Sequence, residues 1–129
     1  MIRVPAITPG RDKSVRCELR CPDPSANPYL AFAVMLAAGM KGIEEKLVLE
    51  PPQVDNLYHL TEMERVKRGI NSLPSSLKEA LDHTKESEFV REALGESLVE
   101  NFLDLKYREF ESYRLQVTPW EMKHYFATL

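Results

Sequence analysis

The sequence predicts an α+β fold that is mostly α: an N-terminal β-hairpin packed with a buried helix, followed by a group of C-terminal amphipathic helices. Three observations carry this. Residues 14–21 alternate polar and apolar without a break, the period-two signature of a half-buried strand. Residues 29–40 are apolar on every side of a helix. From Ser76 onward apolar residues recur at helical spacing behind N-cap signals.

The first strand is Ile2-Arg3-Val4 up to Ala6, a weak alternation interrupted by Pro5, which cannot donate to a ladder. Pro9-Gly10 signals a type II turn inside a long hairpin loop, Thr8 to Lys13. In the second strand Val15, Cys17, Leu19 and Cys21 share one face, and Ser14, Arg16, Glu18 and Arg20 share the other. Asn27 then suits an N-cap and Pro28 the first helical position, opening a helix that Gly42 is placed to end. Residues 47–60, with Pro51-Pro52, read as an irregular loop. Ser76 and Glu79 stand at capping-box spacing before Leu77, Ala80, Leu81 and Thr84. Ser87 to Leu94 is a short helix ended by Gly95. Glu96 to Gln116 is the longest, with Val99, Phe102, Leu103, Phe110 and Tyr113 as its buried stripe. Thr118-Pro119-Trp120-Glu121 starts a last helix that runs nearly to Leu129.

With 129 residues the chain has the length of one domain. Its formal charge of −3 and the lack of a basic helix argue against a nucleic-acid partner. Cys17 and Cys21 on one strand are about 13 Å apart, too far for a disulfide, which needs less than about 7 Å. They read as inward-facing packing residues of a reduced, cytoplasmic protein. No apolar leader follows Met1, and no apolar run reaches membrane-spanning length.

Two short strands cannot cover a helix that is apolar all round, and an isolated hairpin is marginal in water. The chain therefore reads as an incomplete part of a larger domain from which a sheet is missing. The uncovered faces of helix and hairpin become a partner surface.

The chemically suggestive group is Arg16, Glu18 and Arg20. Side chains two apart on one strand face stand about 6.6 Å from one another, which sets a carboxylate between two guanidiniums. Arg3 falls on the neighbouring strand and Lys13 at the loop end. Guanidinium forks grip phosphate or carboxylate oxygens in pairs, and one Glu oxygen fills one place in a Mg²⁺ or Mn²⁺ shell. From the residues alone, the same alternation suits better a solvated antiparallel face with ordinary cross-strand pairs. His59, His83 and His124 share no metal-ligand spacing, Met35 and Met40 read as core, Trp120 as a packing anchor and Ser75-Ser76 as a helix cap. No glycine-rich phosphate loop is present.

The string Cys17-Glu-Leu-Arg-Cys-Pro-Asp-Pro-Ser-Ala-Asn-Pro-Tyr-Leu30, followed by Leu36-Ala-Ala-Gly-Met-Lys-Gly-Ile43, resembles type I glutamine synthetase. The likeness runs the length of the chain, through Ile2-Arg3-Val4-Pro5, Asn56-Leu57-Tyr58, Leu73-Pro74-Ser75-Ser76-Leu77 and Val117-Thr118-Pro119-Trp120. It implies that residues 1–129 are the C-terminal portion of a catalytic domain, with residues 1–22 a hairpin bearing active-site residues and 23–129 a helical region. By that resemblance Glu18 is a metal ligand (Mg²⁺ or Mn²⁺, shared with residues outside this chain). Arg20 contacts glutamate and the transferred phosphoryl group, and Arg3 contacts phosphate. Lys13 and Arg16 lie on the nucleotide side. The implied activity is ATP-dependent ligation of ammonia to L-glutamate through γ-glutamyl phosphate, in a dodecamer of stacked rings joined by C-terminal helices. Met1 aligns with an internal methionine of the family, so the chain reads as a fragment or the product of a truncated gene. Tyr58 falls where some members are adenylylated, but His59-Leu60-Thr61 replaces the residues that follow there, which argues against modification. Alone, the chain is expected to be inactive. The rival reading is a stand-alone helical module derived from the family that binds synthetase subunits without catalysis.

Overall fold

The computed structural model describes residues 2–6, 9–53 and 56–126. Met1, Thr8 of the hairpin loop, Asp55 of the later loop and the end of the last predicted helix, up to Leu129, lie outside the described residues. The architecture is α+β and mostly α, with one small sheet.

The sheet has two strands, β1 (Ile2–Arg3) and β2 (Glu18–Leu19), antiparallel with Ile2 opposite Leu19 and Arg3 opposite Glu18. The ladder is shorter than the alternation predicts. Residues 12–14 wind into a 3₁₀ turn, closed by the Ser14 amide and hydroxyl donating to the Arg11 carbonyl at 2.9 and 2.7 Å, so Ser14 opens no strand. Continued in the same register, Pro5 would face Arg16, and proline has no N–H to give. Gly10, at φ +79°, adopts the left-handed conformation expected at the Pro9-Gly10 turn.

Cys17 and Cys21 are exposed thiols, against the expectation that they pack inward. Val15 and Leu19 share their face and are exposed too. That face stays exposed among the described residues, because β1 and β2 share no extensive interface with the helices.

Helix α1 (Pro28–Glu44) starts as its sequence directs: the Asn27 side-chain oxygen accepts from the amides of Tyr29 and Leu30, and Pro28 holds the first position. It does not end at Gly42. The helix passes through to Glu44, and Lys46 at φ +53° turns the chain. The Leu47 amide bonds the Gly42 carbonyl and the Lys46 amide that of Ile43, the paired closure of a Schellman motif with lysine where glycine is usual. No residue of α1 is buried. Tyr29, Phe32, Leu36 and Ile43 stand exposed along one stripe, and Gly39 continues it with open space at its Cα. This is the uncovered helix that the composition of residues 29–40 implies when a layer is missing.

Asn56 caps a 3₁₀ turn over Leu57–His59. Helix α2 (Glu62–Lys67) follows, a six-residue element inside a stretch where no helix is predicted. Its signal was present: Thr61 and Glu64 form a complete capping box. Helix α3 (Leu77–Glu86) has Ser76 as N-cap, while the Glu79 carboxylate reaches past it to the amide and hydroxyl of Ser75. Ser87 ends α3 and caps α4 (Glu88–Leu94). Gly95, at φ +85°, joins α4 to α5 (Glu96–Arg114) in a conformation that L side chains rarely adopt. Helix α6 (Pro119–Tyr125) opens on the Thr118/Glu121 capping box.

The core lies between α3, α4 and α5. Among the described residues Leu81, Val99 and Leu103 are the buried ones, with Val90, Leu94, Phe102 and Tyr107 packed on them. Tyr113, expected in this stripe, is 72% exposed. Helix α5 is longer than the α3 and α4 segments that cover it, so its C-terminal turns extend beyond them. Helix α1 leans on α4, where Lys41 lies over the Phe89 ring and 3.6 Å from Glu92. No helix among the described residues is long and apolar enough to cross a membrane.

Candidate active site

The site is built on the β1–β2 ladder. Pairing Arg3 with Glu18 puts both side chains on one face, and the pleat adds Arg16 and Arg20 to the same face two residues either side. Glu18 sits at the centre. Its Oε2 takes Arg3 Nη1 at 3.1 Å and Arg20 Nε at 3.5 Å. Its Oε1 takes Arg16 through Nη2 at 2.8 Å and Nε at 3.1 Å. Arg16 also donates from Nη1 to the Ser14 carbonyl at 3.2 Å. The Glu18 side chain is 23% exposed, and each arginine is about half exposed.

Electrostatics follow from this arrangement. Partial desolvation pushes the Glu18 carboxyl up, but hydrogen bonds from Arg16 and Arg3 and the charges behind them outweigh it. The carboxyl is held below its ordinary value, so it is ionised at neutral pH. Three guanidiniums around one carboxylate leave a net positive face, suited to anionic oxygens.

Of the residues singled out from sequence, Arg3, Arg16, Glu18 and Arg20 come together. Lys13 does not join their ion pairs; it lies on the 3₁₀ turn and lines a shallow concavity with Gly10, Arg11, Asp12 and Ser14. Tyr58 is 95% exposed on its own turn. Asp23, which no sequence pattern marks as functional, shapes the approach to α1. Its side chain accepts from the Ser25 amide at 2.7 Å and its carbonyl from the Ala26 amide, turning the chain after β2 toward the Asn27 cap.

No group of three His, Cys, Asp or Glu side chains gathers to hold a metal among the described residues. Glu18 alone fits one place in a divalent shell, since it is ionised, partly exposed and fixed by strand pairing.

An open two-stranded ribbon bearing a positively charged face, joined to an incompletely covered helical body, defines part of a larger α+β domain. Residues 1–125 match the family described as glutamine synthetase, catalytic domain. The chain is 49% identical over 129 residues to the glutamine synthetase of Methanosarcina mazei, covering 100% of this chain and 28% of that protein. It is 48% identical over 127 residues to that of Mycolicibacterium smegmatis, 98% of this chain and 28% of the relative. Against that of Thermus thermophilus it is 49% identical over 128 residues, 99% of this chain and 28% of the relative. The chain belongs to the glutamine synthetase family, and it spans 28% of the length of these relatives.

Proposed function

We propose that this chain supplies one wall of the active site of a glutamate–ammonia ligase, an enzyme that joins ammonia to L-glutamate at the expense of ATP through γ-glutamyl phosphate. The observation that carries the reading is the Arg3–Glu18–Arg16–Arg20 cluster on a strand pair, in a chain of this family. In-line phosphoryl transfer asks of a protein chiefly positioning and stabilisation of spreading negative charge.

Arg20 and Arg3 meet that need at the phosphoryl oxygens, and Arg20 also receives the glutamate carboxylate. Arg16 and Lys13 face the nucleotide phosphates. Glu18 contributes one oxygen to a Mg²⁺ or Mn²⁺ site whose other ligands lie elsewhere in the full subunit. When bound, the ion supplies neutralisation of phosphate charge. A single carboxylate does not hold Mg²⁺ tightly, so the isolated chain has no ligase activity of its own.

Residues 1–129 are the C-terminal stretch of the catalytic domain in this reading. The rest of that domain covers the α1 stripe of Tyr29, Phe32, Leu36 and Ile43 and the exposed Val15 and Leu19. In the complete cytoplasmic enzyme, a dodecamer, α6 serves subunit contacts through its exposed Trp120, Met122 and Tyr125.

Arg20→Lys in a full-length subunit tests the site assignment. Lysine keeps the charge and loses the guanidinium fork. Glutamine formation is expected to fall by about 100-fold in kcat, in the range seen when one charge-stabilising donor is lost. Unchanged kcat removes Arg20 from the phosphoryl site.

A further inference from the structure

We infer that Arg16 is a placeholder cation: it occupies Glu18 Oε1 until a divalent ion takes that oxygen, and the two exchange. The inference rests on Glu18 being a metal ligand, as proposed above.

The two oxygens of Glu18 are not equivalent. Oε2 is shared by Arg3 and Arg20, and Arg3 is fixed opposite Glu18 by the strand register. Oε1 is held by Arg16 alone, through both Nε and Nη2. Nε donates a hydrogen bond to Oε1 at 3.1 Å and Nη2 stands 2.8 Å from the same oxygen, so a cation that enters there meets the Arg16 guanidinium and has to displace it. A divalent ion bonded at about 2.0–2.1 Å would also stand beside a guanidinium of like charge. Approach at Oε2 instead breaks ion pairs to two residues, Arg3 and Arg20. Oε1 is therefore the exchangeable oxygen, and Arg16, with its side chain 57% exposed, has room to leave.

Its departure has a direction. Nη1 is already bonded to the Ser14 carbonyl at 3.2 Å, next to the turn that carries Lys13. An Arg16 released from Glu18 adds its charge to the Lys13 side, where it meets a polyphosphate. An anion that draws Arg16 away uncovers Oε1 for the metal, and a metal on Oε1 frees Arg16 for the anion. Such coupling is reciprocal in free energy.

The test is Mn²⁺ binding, read by electron paramagnetic resonance, to a full-length synthetase containing this sequence, without substrates and then with a non-hydrolysable ATP analogue. Arg16→Gln is expected to tighten Mn²⁺ at this site about 5- to 10-fold without nucleotide, and to reduce the further tightening that the analogue brings. Arg16→Lys, which keeps a charge but offers one donor centre, is expected to fall between. Glu18→Gln is expected to weaken Mn²⁺. If Glu18→Gln weakens Mn²⁺ while both Arg16 variants, folded by circular dichroism, leave it unchanged or weaker, the placeholder role is wrong and the metal-ligand reading stands. If Glu18→Gln leaves Mn²⁺ affinity unchanged, the reading itself fails and the placeholder falls with it.

Discussion

Tyr107 donates its hydroxyl hydrogen to Oδ1 of Asp82 at 2.7 Å, tying the middle of α5 to α3. Lys78 completes the group: it holds both Asp82 oxygens and lies over the Tyr107 ring. The Lys78 hydrogen bonds, then that of Tyr107, keep the Asp82 carboxyl below its ordinary 3.8. The bond to Asp82, then desolvation, raises the Tyr107 phenol above its ordinary 10.0. A depressed carboxyl contributes stability that is present above its unfolded value and lost as pH falls through the folded one. A raised phenol contributes stability that is full below its unfolded value and lost as pH rises through the folded one. Thermal unfolding of wild type and Tyr107→Phe is thus expected to differ most near neutral pH. The gap should narrow below 3.8 and above 10.0. A gap constant across that range would show that the pair contributes nothing through its ionisation.

The buried core is small, and Leu103 is 4% exposed within it. Leu103→Ala is expected to cost about 2–5 kcal/mol, the range for leucine truncation in packed interiors. That is a large share of a single domain's stability. Tyr113→Ala, at a residue 72% exposed on the same helix, is expected to change stability by about 0.5 kcal/mol or less. Urea unfolding followed by helical circular dichroism separates the two. Equal losses would mean that the core extends along α5 beyond the α3 and α4 contacts.

Trp120 stacks on His124, with ring centroids 4.1 Å apart, and meets Tyr125 edge-on at 5.7 Å. These aromatic contacts stay within α6 and leave Trp120, Met122 and Tyr125 exposed. Deleting residues 118–129 from a full-length synthetase is expected to weaken its oligomer, seen as smaller species in analytical ultracentrifugation. An unchanged sedimentation profile would reject a role for α6 in assembly.

Local chemistry was the most legible part of the sequence. Caps at Asn27, Ser76, Ser87 and Thr118 are short-range side-chain to backbone bonds, and each helix starts where its cap stands. Helix ends and strand lengths were less legible. The α1 terminus at Lys46 depends on two closing hydrogen bonds that another residue can make in place of glycine, so Gly42 misleads. The alternation over residues 14–21 describes a strand with one covered face, but it carries no signal for how far pairing extends, and with a partner strand followed by Pro5 the ladder stays short. Cys17 and Cys21 have the pattern of packing residues, but no layer among the described residues buries them. The charged cluster was readable because both of its determinants are periodic. The pleat places Arg16, Glu18 and Arg20 together, and the hairpin register adds Arg3. Which Glu18 oxygen each arginine takes follows from side-chain rotamers and has no sequence signal.

Complementation tests the central claim most directly. This chain and a separate polypeptide carrying the remainder of a glutamine synthetase subunit are assayed for glutamine formation, singly and mixed. The account predicts no turnover from either alone, turnover on mixing, and its loss when the added chain carries Glu18→Gln. Turnover by this chain alone, or a Glu18→Gln mixture as active as wild type, would contradict it.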